Sequence, residues 1–150
     1  MKVNTKFFGP VEIDEEELLV FEHGIPGFED KRRFFLAKYS ADSPFHVLQS
    51  LDEPGPAFIL ISLEQVAPGY LMELTDEVVE VLKIDQPEDV AVYAIVTIPG
   101  ELAEATVNLA APLAINTREK LGKQVILTNP SYGLKHPLFS GDPVPVKAVK

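Results

Sequence analysis

The sequence predicts a mainly β protein, a small antiparallel β-barrel-like domain with one or two short helices. Three observations carry this reading. β-branched and aromatic residues come in short runs. Thirteen prolines and nine glycines punctuate them, about one breaker every seven residues, and long helices do not survive that density. Many run ends coincide with turn residues such as Gly9-Pro10, Pro54-Gly55-Pro56 and Pro99-Gly100.

Taken in order, Lys2–Phe8 reads as a strand stopped by Gly9-Pro10. Leu18–Glu22 runs up to the turn Gly24-Ile25-Pro26-Gly27. Arg33–Ala37, His46–Leu51 and Phe58–Ser62 follow, and the prolines of 54–56 separate the last two. Short helical turns are expected near Glu64–Val66 and Arg118–Leu121. The clearest helix starts at Thr75, a good N-cap. Asp76 and Glu77 occupy its first turn, where the helix dipole favours carboxylates, and Val78, Val79 and Leu82 share a face. The competing reading of that segment is a strand, with Val79 and Val81 alternating. Val90–Thr97, Ala105–Leu109, Leu113–Asn116 and Gln124–Leu127 complete the strands, before the Asn129-Pro130 turn.

At 150 residues, 46% of them hydrophobic, the chain reads as a single domain over 1–150. A chain of this length buries roughly 68–70% of its unfolded surface, enough for one core. About residues 141–150 read as a loose tail, because Pro143, Pro145, Lys147 and Lys150 define no apolar face. The chain has no cysteine, which excludes disulfides and thiolate chemistry. Met1–Lys6 is not followed by an apolar run, so no signal peptide is expected. Runs such as Val90–Val96 fall far short of the roughly 20 residues a membrane helix needs. A soluble, cytoplasmic protein is the expectation.

Charge is the most uneven property of the chain. From Tyr39 to Thr117 there is one base, Lys83, against thirteen acids, so this stretch carries −12 and the rest of the chain +2. Such an asymmetry creates a negative field that repels nucleic acid and attracts cationic proteins.

Motifs for chemistry are sparse. His23, His46 and His136 are far apart and show no metal-ligand spacing. Ser50, Ser62 and Ser131 have no nucleophile motif around them. Glu15-Glu16-Glu17 and Glu88-Asp89 read as solvated turn acids rather than a catalytic carboxylate pair. In Gly24-Ile25-Pro26-Gly27 the proline removes an amide donor and no Lys-Ser or Lys-Thr follows, so the loop reads as a structural turn rather than a phosphate cradle. Lys31-Arg32-Arg33 is too short for a nucleic-acid face and is expected to pair with nearby acids, Glu29 and Asp30 among them. Metal, cofactor and catalytic site are therefore all expected to be absent, and protein binding is the favoured role.

Four blocks in order now bear on the family. They are Phe21 to Leu36, with Gly24-Ile25-Pro26-Gly27-Phe28-Glu29 and Phe34-Phe35-Leu36; Pro44-Phe45-His46-Val47-Leu48-Gln49-Ser50 with Ala57-Phe58; Val92-Tyr93-Ala94-Ile95-Val96-Thr97; and Asn108-Leu109-Ala110-Ala111-Pro112-Leu113-Ala114-Ile115-Asn116 with Gln124-Val125-Ile126-Leu127. Together they resemble the bacterial flagellar assembly factor FliW family, over most of the chain. One departure is the missing proline near Ser62 or Leu63.

The resemblance implies a non-enzymatic, β-barrel-like regulator. It implies two partners, cytoplasmic flagellin and, when flagellin is gone, the RNA-binding translational repressor CsrA. It implies no direct contact with nucleic acid or membrane, and a monomer. The charge pattern agrees, since an RNA-binding protein carries a basic surface that an acidic antagonist can meet. Glu73, Asp76, Glu77 and Glu80 are the expected CsrA-binding acids; the alternative is a solvated face without a partner. Flagellin capture calls for an apolar groove or sheet edge, and Phe45, Leu48, Pro112, Ile115 and Asn116 are the expected lining. The alternative for the apolar members is core packing, and for Asn108 and Asn116 it is hydrogen bonding to turn backbone. Two rival readings of the whole chain remain. One is a generic acidic inhibitor or nucleic-acid mimic; the other is a small carboxylate-based hydrolase, which requires two carboxyls of raised or split pKa in one cleft.

Overall fold

The computed structural model describes residues 1–66, 75–127, 133 and 135–138. Glu73, Ser131 and the 141–150 tail lie outside these residues. The elements are β1 (Lys2–Thr5), β2 (Gly9–Glu12), β3 (Leu18–Val20), β4 (Arg33–Lys38), β5 (Phe45–Ser50), β6 (Ala57–Ser62), α1 (Leu63–Val66), α2 (Asp76–Leu82), β7 (Val90–Thr97), β8 (Thr106–Val107), β9 (Leu113–Asn116), β10 (Leu121–Gln124) and β11 (His136–Pro137). Short 3-10 turns cover Glu15–Glu17, Pro87–Asp89 and Leu102–Glu104.

Seven strands close on themselves in the order β3-β4-β5-β6-β7-β9-β10, with β10 returning to β3. Each pair is antiparallel except the closing one, where Leu121 lies beside Val20 in parallel. Closure leaves no open edge among these strands. The eight-residue β7 serves two partners on one side: Val90–Tyr93 pair with β9, and Val96–Thr97 pair with β8, which carries β11 on its far side.

A barrel this narrow is filled by side chains rather than hollow. Alternate residues of its strands, Leu19, Phe34, Leu48, Leu60, Leu113 and Ile115, form one buried cluster with Phe21 and Ile25. The opposite residues form satellite clusters outside the wall. Ile61, Ala94 and Val96 pack under Leu63 of α1 and Val107 of β8. Val78 and Leu82 of α2 pack on Ala114 and Val125. Phe35 meets Val3 and Ile13 of the N-terminal segment.

The mainly β barrel with short helices is thus as expected, and β7 and β9 match the predicted strands residue for residue. Three elements differ. The first strand turns back after Thr5, whose Oγ1 donates to the Gly9 carbonyl (2.7 Å) and accepts from the Phe8 N–H (2.9 Å). Gly9, at φ 65°, starts β2, so the residues expected to end a strand instead join a hairpin. Second, β8 keeps only two residues of the expected five. Third, no helical turn forms at Arg118–Leu121, and the expected strand Gln124–Leu127 moves three residues earlier, to β10. The Asn116 carboxamide oxygen accepts from the Arg118 and Glu119 N–H groups (3.0 and 3.1 Å), which folds a tight turn and restarts pairing at Leu121. Val125 and Leu127 still donate to the Pro112 and Ala110 carbonyls.

Candidate functional site

Two surfaces have features that packing does not require. The first is the outer face of α2. Thr75 caps this helix as expected, its Oγ1 accepting from the Val78 N–H at 3.3 Å. With Val78 and Leu82 turned inward and buried, Asp76, Glu77 and Glu80 are left exposed on the other side. Asp76 and Glu80 have no ion pair among the described residues, and Glu77 meets only Lys123, at 3.9 Å. The helix ends at Lys83 in the left-handed region (φ 54°).

Four other acids of the −12 stretch, Asp52, Glu53, Asp85 and Asp89, are paired with bases. Arg118 reaches Asp85 at 2.9 Å and Asp89 at 3.2 Å. Asp89 also accepts from the Asp85 and Gln86 N–H groups, and the Arg118 hydrogen bond followed by these two holds its carboxyl below the usual range. Its role is to fix a turn. Arg33 binds Asp52 at 2.8 Å, and Lys31 meets Asp30 at 2.5 Å and Glu53 at 3.3 Å. Burial pushes Asp52 upward, but the Arg33 hydrogen bond and charge outweigh it and the net shift is down. Lys31 and Arg33 of the basic cluster therefore pair with acids as expected, Asp30 among them, though Glu29 instead accepts from the Gly27 N–H.

The second surface is an apolar cleft of about 560 Å³. Phe7, Tyr39, Phe45, Ile59, Ile98 and Leu102 line it. Phe7 comes from the β1–β2 turn, Tyr39 follows β4, and Phe45 and Ile59 belong to β5 and β6. Phe7 and Tyr39 meet edge to face, with centroids 6.1 Å apart.

Of the five residues expected to line a flagellin groove, only Phe45 reaches this cleft. Leu48 and Ile115 are wholly buried in the barrel, because their strand positions face inward. Pro112 is buried, its carbonyl accepting from Val125. Asn116 is buried with its Nδ2 donating to the Leu82 and Lys83 carbonyls (2.7 and 3.2 Å). It ties the end of α2 to β9 and takes the hydrogen-bonding role rather than the groove-lining one. Asn108 does the same locally, accepting from Ala110 and Ala111. Reading by sequence block missed Phe7, Tyr39, Ile59, Ile98 and Leu102. Their only signal was two aromatics, Phe7-Phe8, placed directly before a turn.

Two of the groups weighed for catalysis, Ser50 and Asp89, hold turn backbone. Ser50 Oγ accepts from the Asp52 and Glu53 N–H groups. Glu15, Glu16 and Glu17 form an exposed 3-10 turn. Asp30, Asp52 and Asp89 all shift downward, the opposite of what a general acid needs. No cluster of three metal-ligating side chains occurs among the described residues. Likewise, none of their helices is long and apolar enough to cross a membrane.

Comparison with known proteins adds the family. A family model described as FliW protein matches residues 2–138. The chain is 45% identical over 139 residues to a flagellar assembly factor FliW of Geobacillus kaustophilus, covering 93% of this chain and 96% of that one. It is 40% identical over 140 residues to the FliW of Thermoanaerobacter pseudethanolicus, covering 93% of each. A crystal structure of the flagellar assembly factor FliW superposes with a TM-score of 0.85 at 43% identity, covering 93% of this chain and 97% of that one. Sequence match and barrel agree over the same span, and the chain belongs to the FliW family of flagellar assembly factors.

Proposed function

We propose that this chain is a non-enzymatic, monomeric regulator of flagellar assembly that works in the cytoplasm by switching between two proteins. It binds flagellin, and when free of flagellin it binds and antagonises the RNA-binding translational repressor CsrA. Family membership supports the assembly role. The observation that carries the CsrA half is the outer face of α2, where Asp76 and Glu80 stand exposed with no ion pair among the described residues.

Unpaired carboxylates on a rigid face keep their full field, whereas the Arg118 network cancels that of Asp85 and Asp89. A basic RNA-binding surface is drawn to the former. Once docked, these acids add negative charge near the path of the RNA and weaken its binding without covering its site. Glu73 joins this set on its place in the sequence. Flagellin uses a separate, apolar surface.

The test is charge reversal. With Glu73, Asp76, Glu77 and Glu80 all changed to Lys, CsrA affinity measured by isothermal titration should fall on the order of tenfold to a hundredfold, with flagellin affinity nearly unchanged. Raising salt should weaken the CsrA complex more than the flagellin complex. Equal loss for both partners, or for neither, rejects the two-surface scheme.

A further inference from the structure

Monomeric proteins rarely leave large apolar side chains grouped on the surface without a use. Phe7, Tyr39 and Leu102 are 38%, 46% and 51% exposed, and all three line the cleft of about 560 Å³ together with Phe45 and Ile59. The backbone around the cleft decides what can cover them. β5 is paired to β4 and β6, and β6 to β5 and β7, so neither offers a free ladder. An extended guest fits such a site best when it has few N–H groups to satisfy. Proline has none, and proline-rich segments are the guests that aromatic-lined grooves take.

The chain carries such a segment of its own. Residues 142–146 read Asp-Pro-Val-Pro-Val. Pro143 and Pro145 lack an N–H and fix φ, and each holds the residue before it, Asp142 or Val144, in the extended region. The segment is thereby pre-set toward a polyproline conformation and has little entropy to lose on docking. Val144, Val146 and Val149 are the apolar groups it brings.

Leu138 puts this segment within reach. Its N–H donates to the Ala105 carbonyl at 2.9 Å, three residues along the chain from Leu102. Its side chain packs on the same buried cluster as Phe45, Ile59 and Ile98, all three of which line the cleft. Residues 143–146 follow five to eight positions later, a span of roughly 15–25 Å for a polyproline-type chain. Charge favours the contact as well. Asp42, Glu101 and Glu104 stand exposed beside lining residues, without ion pairs among the described residues, against the two exposed bases Lys6 and Lys38. Residues 139–150 bring Lys147 and Lys150 against Asp142, so the cleft surround at −1 meets a segment at +1.

We propose that residues 139–150 fold back over this cleft, with residues 143–146 seated on Phe7, Tyr39 and Phe45. The contact is an autoinhibitory cover. It keeps the apolar cleft from water, and any protein that takes the cleft must first displace it. It needs neither flagellin nor CsrA and operates in the isolated chain.

The test uses the full chain. Because the chain lacks cysteine, Ala148→Cys gives a single site for a nitroxide spin label. The amide signals of Phe7, Tyr39 and Leu102 should lose intensity, those of α2 should keep theirs, and reducing the nitroxide should restore the lost signals. Val144→Asp with Val146→Asp should relieve this broadening and raise the fluorescence of anilinonaphthalene sulfonate, with thermal melts checking the fold. Equal signal loss over the whole barrel, or no loss, overturns the cover. Broadening that persists in Val144→Asp with Val146→Asp overturns the apolar seat. A mixture of isotope-labelled chain without nitroxide and nitroxide-bearing chain of natural isotopes reads contacts between molecules alone. Cleft broadening in that mixture assigns the cleft to a second copy and overturns the folding back.

Discussion

His46 shows how one side chain is set by its strand position. It lies on the same side of β5 as buried Leu48, directly across from Lys38, with Tyr93 edge-on at 5.3 Å. Its Nδ1 is buried without a hydrogen-bond partner among the described residues. Burial first, and the Lys38 charge second, hold its pKa below the ordinary 6.5. A group depressed in the folded state binds protons more readily unfolded. It therefore contributes stability that is full above about pH 6.5 and is lost as pH falls through the folded value. Urea melts should show stability falling between about pH 7 and pH 5, with His46→Gln removing part of that slope. The lowered carboxyls of Asp30, Asp52 and Asp89 act only in more acid solution, so they do not mask the effect. An unchanged slope in His46→Gln assigns it to other groups. None of this was legible in the sequence, where His46 was one of three scattered histidines.

At the scale of elements, α2 and its anchorage make the clearest case. The Thr75 cap, the first-turn acids and the Val78–Leu82 face are local features, so the helix could be read before any fold was known. Asn116, thirty-four residues beyond Leu82, could not be assigned that way. Its carboxamide serves two carbonyls at the end of α2 and two N–H groups after β9. Asn116→Leu removes all four bonds and takes this donor from the Leu82 carbonyl in the interior, whereas the Lys83 carbonyl keeps Arg118. It should cost about 2–4 kcal/mol in urea denaturation, and α2 should lose protection from hydrogen exchange before the barrel does. A loss below about 1 kcal/mol would mean that water replaces the carboxamide. The shifted β10 has the same origin: the turn that Asn116 organises decides where pairing resumes, and strand propensity at Val125–Leu127 is overruled.

For the whole molecule, closure of the barrel is the defining event. The parallel contact of β3 with β10 completes the ring, and there Gly122 faces the ring of Phe21. A Cβ at residue 122 would fall within the contact radius of that ring, which is wholly buried. Gly122→Ala should therefore destabilise the protein by about 1–3 kcal/mol. Adding Phe21→Leu should recover part of that loss in a thermal melt, since it removes the clashing atoms. Full stability in Gly122→Ala would mean that β10 can shift outward freely.

Strand content, the capped helix, the lack of sulfur chemistry and the lopsided charge all follow from residues near one another in the chain, and these could be read directly. Which acids keep their field, which apolar residues stay exposed and which asparagine is a tie all depend on pairs of residues far apart in sequence. Folding puts Arg118 onto Asp85 and Asp89 and leaves Asp76 and Glu80 without a counter-charge among the described residues. It buries Leu48 and Ile115 while leaving Tyr39 and Leu102 partly in water. Hydropathy does not separate these apolar residues; strand parity and barrel closure do, because a side chain's burial is set by what the ring brings to face it.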